Sequence, residues 1–118
     1  MVAMDIELLR NVFQVSGNVE YTAHCQKRML ERDISRADIK YCIMNGEVIE
    51  DYPLMDGNVS PMSLPSCLIL GMRVKDKSLI HVVVGFNGQR VLIISAYYPD
   101  LEHWENDYRT RKGGGQNV

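Results

Sequence analysis

Over Asp5–Val15, the apolar residues Ile6, Leu9 and Phe13, together with Leu8, Val12 and Val15, recur at three- and four-residue steps. That period predicts an amphipathic helix with one broad apolar face, ended by Ser16-Gly17-Asn18. A second, shorter helix is predicted over Cys25–Arg32, with Thr22 as its N-cap and Cys25, Met29 and Leu30 turned inward. Ser35-Arg36-Ala37-Asp38 sets a carboxylate three residues after a hydroxyl, close to a capping box. Ala37, Ile39, Tyr41, Cys42, Ile43 and Met44 continue that helix until Asn45-Gly46 stops it. Loss of the Ser35 cap should cost about 1 kcal/mol.

From Gly46 the period changes. Glu47–Tyr52, Cys67–Arg73, Leu79–Gly85 and Arg90–Tyr97 are rich in β-branched and apolar residues and predict four strands. Lys75-Asp76-Lys77-Ser78 and Asn87-Gly88 are turn sequences, so the last three strands should form an antiparallel meander. Pro53–Pro65, without a period and rich in Met, Asp, Gly, Ser and Pro, predicts a long mobile loop. Asp100 can cap a short helix over Leu101–Tyr108, with Trp104 anchoring it to the core. Arg109–Gln116 is too polar and Gly-rich to pack unaided, which predicts a frayed end. The expected fold class is therefore α+β: N-terminal helices packed on a mainly antiparallel four-stranded sheet. One domain spans 1–112, with a flexible tail over 113–118, and no internal repeat occurs.

A chain of 118 residues suits one domain, and 46% apolar with 24% charged residues fits a globular class rather than a disordered one. No apolar run approaches the roughly 20 residues of a membrane span. Met1–Glu7 lacks the cationic start and apolar block of a secretory signal, so a cytoplasmic location is expected. Cys25, Cys42 and Cys67 are odd in number and widely spaced, which predicts reduced thiols, no disulfide and no zinc site. A net charge of −2 argues against nonspecific binding to nucleic acid through phosphates alone. No Gly-rich phosphate loop, metal-ligand spacing, carboxylate motif or nucleophile elbow is present, so the expected chemistry uses neither metal nor cofactor.

His24, Arg28 and Arg32 stand at i, i+4 and i+8 and can share one helix face. A histidine that moves a proton and arginines that hold a phosphate would suit a phosphodiester substrate. Lys27 and Glu31 lie on the same helix, and a solvated face of both signs is the other reading of that spacing. His81 interrupts the apolar run Leu79–Val84 as a titratable group on a central strand, or as a hydrogen-bonded core histidine. Strict alternation over Val91–Tyr97 puts Ser95 and Tyr97 on one face near the strand end. They could adjoin a substrate, or simply pack.

Several phrases occur together: Thr22-Ala23-His24, Arg28-Met29, Glu31-Arg32, Ile34-Ser35 and Asn45-Gly46-Glu47-Val48-Ile49-Glu50. Pro65-Ser66-Cys67-Leu68-Ile69-Leu70-Gly71, Ile80-His81-Val82-Val83-Val84 and Ile94-Ser95-Ala96-Tyr97-Tyr98-Pro99-Asp100 follow, with Trp104 beyond. In this combination the chain resembles the family known as Domain of Unknown Function 4258, over about Tyr21 to Arg111. Members are similar in helix and strand order to RelE-like and barnase-like RNase toxins and are often found beside a zinc-ribbon antitoxin-like protein.

The resemblance implies a RelE-like fold and a toxin-type, metal-independent endoribonuclease of mRNA-interferase type, with RNA and an antitoxin-like protein as partners. In such toxins the ribose 2′-hydroxyl attacks the adjacent phosphate and leaves a cyclic phosphate. By that likeness His24 is general base or acid, His81 its counterpart, Arg28 and Arg32 the phosphate clamp, and Ser95 or Tyr97 the orienting group. Thr22 supplies the small hydroxyl residue two before the histidine, and Ser95 the hydroxyl of the last strand. Ribosome-dependent toxins of this fold are typically basic, and this slightly acidic chain departs from them.

The alternative is a noncatalytic interaction module that offers the Pro53–Pro65 loop and a strand edge to a partner protein. A small-ligand domain with a pocket between helix and sheet is a third reading. Convergence of His24, His81 and Arg28 in one cleft would favour the enzyme, and scatter would favour binding.

Overall fold

The computed structural model describes residues 4–52 and 64–115. Helix α1 (Ile6–Phe13) starts where the Asp5 carboxylate accepts from Leu8 N–H, and it buries Leu9 and Phe13. In α2 (Ala23–Arg32) the Thr22 hydroxyl accepts from Cys25 N–H at 3.0 Å and lies 3.2 Å from the Ile94 carbonyl, so the cap also ties the helix to the sheet. Cys25 and Met29 face the core, but Leu30 is 86% exposed. One helical step of about 100° beyond Met29 carries it off the buried face, which corrects its expected inward orientation. In α3 (Arg36–Asn45) the Ser35/Asp38 capping box forms in both directions. The other oxygen of Asp38 accepts from Val74 N–H at 2.8 Å, which accounts for a buried carboxylate at a helix start.

Four predicted strands form, as β2 (Glu47–Tyr52), β3 (Ser66–Met72), β4 (Leu79–Phe86) and β5 (Val91–Tyr97), and they pair as an antiparallel meander. The expected four-stranded sheet is corrected to five strands in the order β1-β5-β4-β3-β2, because β1 (Val19–Tyr21) pairs parallel to β5. Three residues are too few to display a period, and this strand is defined by the free edge of β5 rather than by its own pattern. In the β4–β5 hairpin Asn87 N–H closes on Arg90 O, so Gly88, at φ 94°, is the first central residue of the turn. The expected loop Pro53–Pro65 lies outside the described residues except for Leu64 and Pro65.

All three helices contribute to one core with Cys67, Ile69, Ile80, Val82, Val84, Val91, Ile93 and Ala96, which defines the helix face of the sheet. The pairing register shifts between Val83 and Val84, leaving Ile94 as an extra residue on β5. Strict alternation therefore fails: Val91 and Ile93 join the helix face, while Ser95 and Tyr97 turn to the opposite one. A second shift beside Ile49 puts Glu47 and Glu50 on that same opposite face, level with Leu70 and Leu68.

That second face is covered by the C-terminal segment 100–112, the strap, through Trp104, Tyr108, Arg109 and Arg111. Leu101–Tyr108 is not a helix. The Asp107 carboxylate accepts from Arg109 N–H and Thr110 N–H, Glu105 N–H bonds to Thr110 O, and Tyr108 takes a left-handed φ of 56°. These local bonds compete with helical ones. Nor does Arg109–Lys112 fray. Arg109 pairs with Glu47 at 2.8 Å, Arg111 with Glu50 at 2.8 Å, and Lys112 N–H bonds to His103 O at 2.9 Å.

Candidate functional site

Where the strap crosses β4 and β5, a polar cluster fills the second face. His81 is fully buried, with Nε2 2.7 Å from the Tyr108 carbonyl and Nδ1 3.2 Å from the Tyr97 hydroxyl. A carbonyl can only accept, so the neutral ring carries its proton on Nε2 and leaves Nδ1 to accept from Tyr97. Burial pushes the imidazole below its usual range; the Tyr108 carbonyl and the Glu50 carboxylate oppose that shift, and Arg111 adds to it. The Tyr97 and Trp104 rings stand edge-on to the imidazole, at 5.2 and 4.6 Å between centres.

Beside this pair, Glu50 receives Arg111 through two bonds, Nε to Oε2 at 2.8 Å and Nη2 to Oε1 at 3.0 Å, and also accepts from the Tyr52 hydroxyl. Burial pushes the Glu50 carboxyl up, but the Arg111 and Tyr52 bonds together outweigh it and hold the group below the usual carboxylate range. Burial, then the bond to Glu50, pushes the Tyr52 phenol up to about 12. Tyr97 is raised by burial, against the opposing effect of Arg111, so its phenol keeps its proton at neutral pH. The Arg111 guanidinium lies 4.7 Å over the Trp104 ring, which fixes its plane. The cluster thus sets a polarised phenol, a neutral imidazole acceptor and a carboxylate-bound cation side by side.

Of the residues proposed from sequence, His81, Ser95 and Tyr97 come together on this face. Ser95 shares the pairing level of Val83, Leu68 and Glu50. His24, Arg28 and Arg32 do not join them. They lie on α2, which packs across the helix face. His24 is exposed, Arg28 pairs with Glu31 at 2.7 Å, and Arg32 donates to the Ala96 carbonyl at 2.8 Å. The expected stripe is therefore divided between solvent, an ion pair and a bond that secures α2 to β5. Sequence reasoning missed Glu50, Tyr52 and Arg111. Glu50 stood within a recognised phrase, but its direction depends on the bulge at Ile49, and Arg111 stood in a segment whose composition pointed to disorder.

Asp100, Glu102 and His103 form the one grouping of potential metal ligands among the described residues. The Asp100 carboxylate accepts from Glu102 N–H and His103 N–H and lies 2.9 Å from His103 Nδ1, which makes the grouping a capped turn.

Compared with known protein families, residues 21–98 match the model described as "Domain of unknown function (DUF4258)". The chain belongs to the DUF4258 family. No curated protein and no solved structure matches it. The DUF4258 match takes in β2 to β5, and with them Glu50, Tyr52, His81, Ser95 and Tyr97. Trp104, Tyr108 and Arg111 lie beyond the matched span, so the strap adds its cation and its carbonyl to a site whose other half belongs to the DUF4258 domain.

Proposed function

We propose that the chain is a metal-independent endoribonuclease of toxin type whose reacting centre is the Tyr97–His81 pair with Glu50 and Arg111. The observation that carries this reading is the directed bond from the Tyr97 hydroxyl to a buried, neutral His81 beside a guanidinium. In the reaction, the substrate 2′-hydroxyl gives its proton to Tyr97 Oη as the Tyr97 proton passes to His81 Nδ1. The 2′-oxygen bonds to phosphorus, the bond to the 5′-oxygen breaks, and that oxygen takes a proton from solvent. Arg111 exchanges part of its contact with Glu50 for the phosphate, and Glu50 steadies the imidazolium formed. Two β-bulges support the reading, since bulges commonly re-aim side chains beside reacting centres.

The alternative, a noncatalytic protein-interaction module, is favoured by one observation: Leu30 stands out to solvent on α2 among His24, Lys27 and Glu31. In that case the His81 bridge serves only to fasten the strap. Mixed-sequence RNA incubated in chelator with the chain, with Tyr97→Phe and with His24→Ala separates the two. The expected result is fragments ending in cyclic phosphate, lost by about a hundredfold or more in Tyr97→Phe and retained in His24→Ala. Equal cleavage by a folded Tyr97→Phe variant removes the proposed centre. No cleavage by any folded form turns the assignment to the interaction module.

A further inference from the structure

A cleft of about 320 Å³ opens on the other side of the sheet, between α1, β1 and α3. Phe13, Val19 and Tyr21 give it apolar walls, while Arg36, Lys40 and Ser16 supply polar groups. Arg36 and Lys40 are one helical turn apart and therefore share a face of α3. The Arg36 guanidinium lies 4.3 Å over the Tyr21 ring, and that is its only partner among the described residues. Every other arginine bonds or pairs with a carboxylate or a carbonyl. Glu20, next to Tyr21 in sequence, is instead engaged with Arg90 at 3.6 Å. In a chain of net charge −2, one solvent-exposed guanidinium is thus stacked over an aromatic wall without a carboxylate or carbonyl partner among the described residues.

We infer that this cleft binds a mononucleotide, with the phosphate on Arg36 and Lys40 and the base against the apolar wall. Arg36 alone would satisfy a carboxylate. A fork of donors, a second cation and a hydroxyl suit the several oxygens of a phosphate dianion. The volume lies near the lower end for ligand pockets, room for one ring and one phosphate rather than an oligomer. The site is separate from the Tyr97 centre and stands whether or not that centre is catalytic.

Calorimetric titration of the purified chain with AMP and UMP, with adenosine, and with inorganic phosphate tests both halves of the site. The expected result is saturable binding of at least one monophosphate, weaker binding of adenosine and of phosphate, and a loss of about tenfold in Arg36→Gln. Lys40→Gln should weaken binding by a smaller factor, and Tyr97→Phe should leave it unchanged. Among the described residues Arg36 makes no hydrogen bond and only the contact with the Tyr21 ring, so unchanged thermal unfolding of Arg36→Gln confirms that the variant is folded. Undiminished binding by that variant, adenosine or phosphate binding as tightly as the monophosphate, or no saturable binding of either nucleotide overturns the assignment.

Discussion

The two faces of the sheet are built on different principles. On the helix face, apolar side chains from three helices meet Ile80, Val82, Val84 and Ile93, each of these four fully buried and without polar demands. On the strap face, cover comes from a segment with no α-helix and no strand beyond a single Trp104–Arg111 bridge, fastened by Arg109 to Glu47, Arg111 to Glu50 and Tyr108 O to His81. Aliphatic burial is non-directional and scales with area, so the helix face supplies stability. Ion pairs and hydrogen bonds are directional and individually weak, so the strap face supplies placement of groups at little net stability. The proposed chemistry belongs where placement matters. That is the face on which Tyr97, His81 and Glu50 converge.

The largest effect should come from the helix face. Ile80→Ala deletes a fully buried side chain and should cost about 2–5 kcal/mol in urea unfolding. A cost comparable to that of a surface substitution would mean that the aliphatic layer is not the source of stability. On the strap face, Arg111→Ala should cost only about 1 kcal/mol, because the pair with Glu50 is partly solvated. Its larger consequence is local. Loss of the guanidinium frees the strap, which hydrogen exchange would register as reduced protection at Trp104, Tyr108 and Lys112, with the helix-face strands unchanged. Equal loosening of both faces would erase the contrast between them.

The same contrast explains what could be read in the sequence. Ser35 and Asp38 formed the expected capping box, and Glu47–Tyr52 formed a strand over the expected residues, because caps and strand periods are local properties. β1 could not be read, since a three-residue strand acquires its identity from the edge it joins. The bulge at Ile94 was hidden for a related reason. Periodicity placed Val91 and Tyr97 on one face, and only pairing with β4 shows that one residue is left over between them. The strap was hardest of all. Arg111 reaches a carboxylate 61 residues back, and no local pattern encodes a contact of that separation. Of the site, the chemically suited residues His81, Ser95 and Tyr97 were legible. Their companions were not, and α2, which carries the most suggestive spacing, faces elsewhere.

The smallest effect is also the most specific to the strap face. His81 is buried with its pKa below the usual histidine range, so between that value and the ordinary value of about 6.5 the unfolded chain binds a proton that the folded chain refuses. Stability from this group is therefore fully present above about pH 6.5 and declines as pH falls toward the lowered folded pKa. His24 and His103 are exposed. His81→Gln provides the control, because a glutamine amide can donate to Tyr108 O and accept from Tyr97 without titrating in this range. Urea unfolding between pH 7.5 and 5 should show a decline in the parent chain that is flattened in His81→Gln. Parallel curves would place the proton elsewhere and leave the strap face without its buried neutral imidazole. A difference confined to this pH interval would confirm the imidazole as the neutral acceptor that the bond from Tyr97 requires.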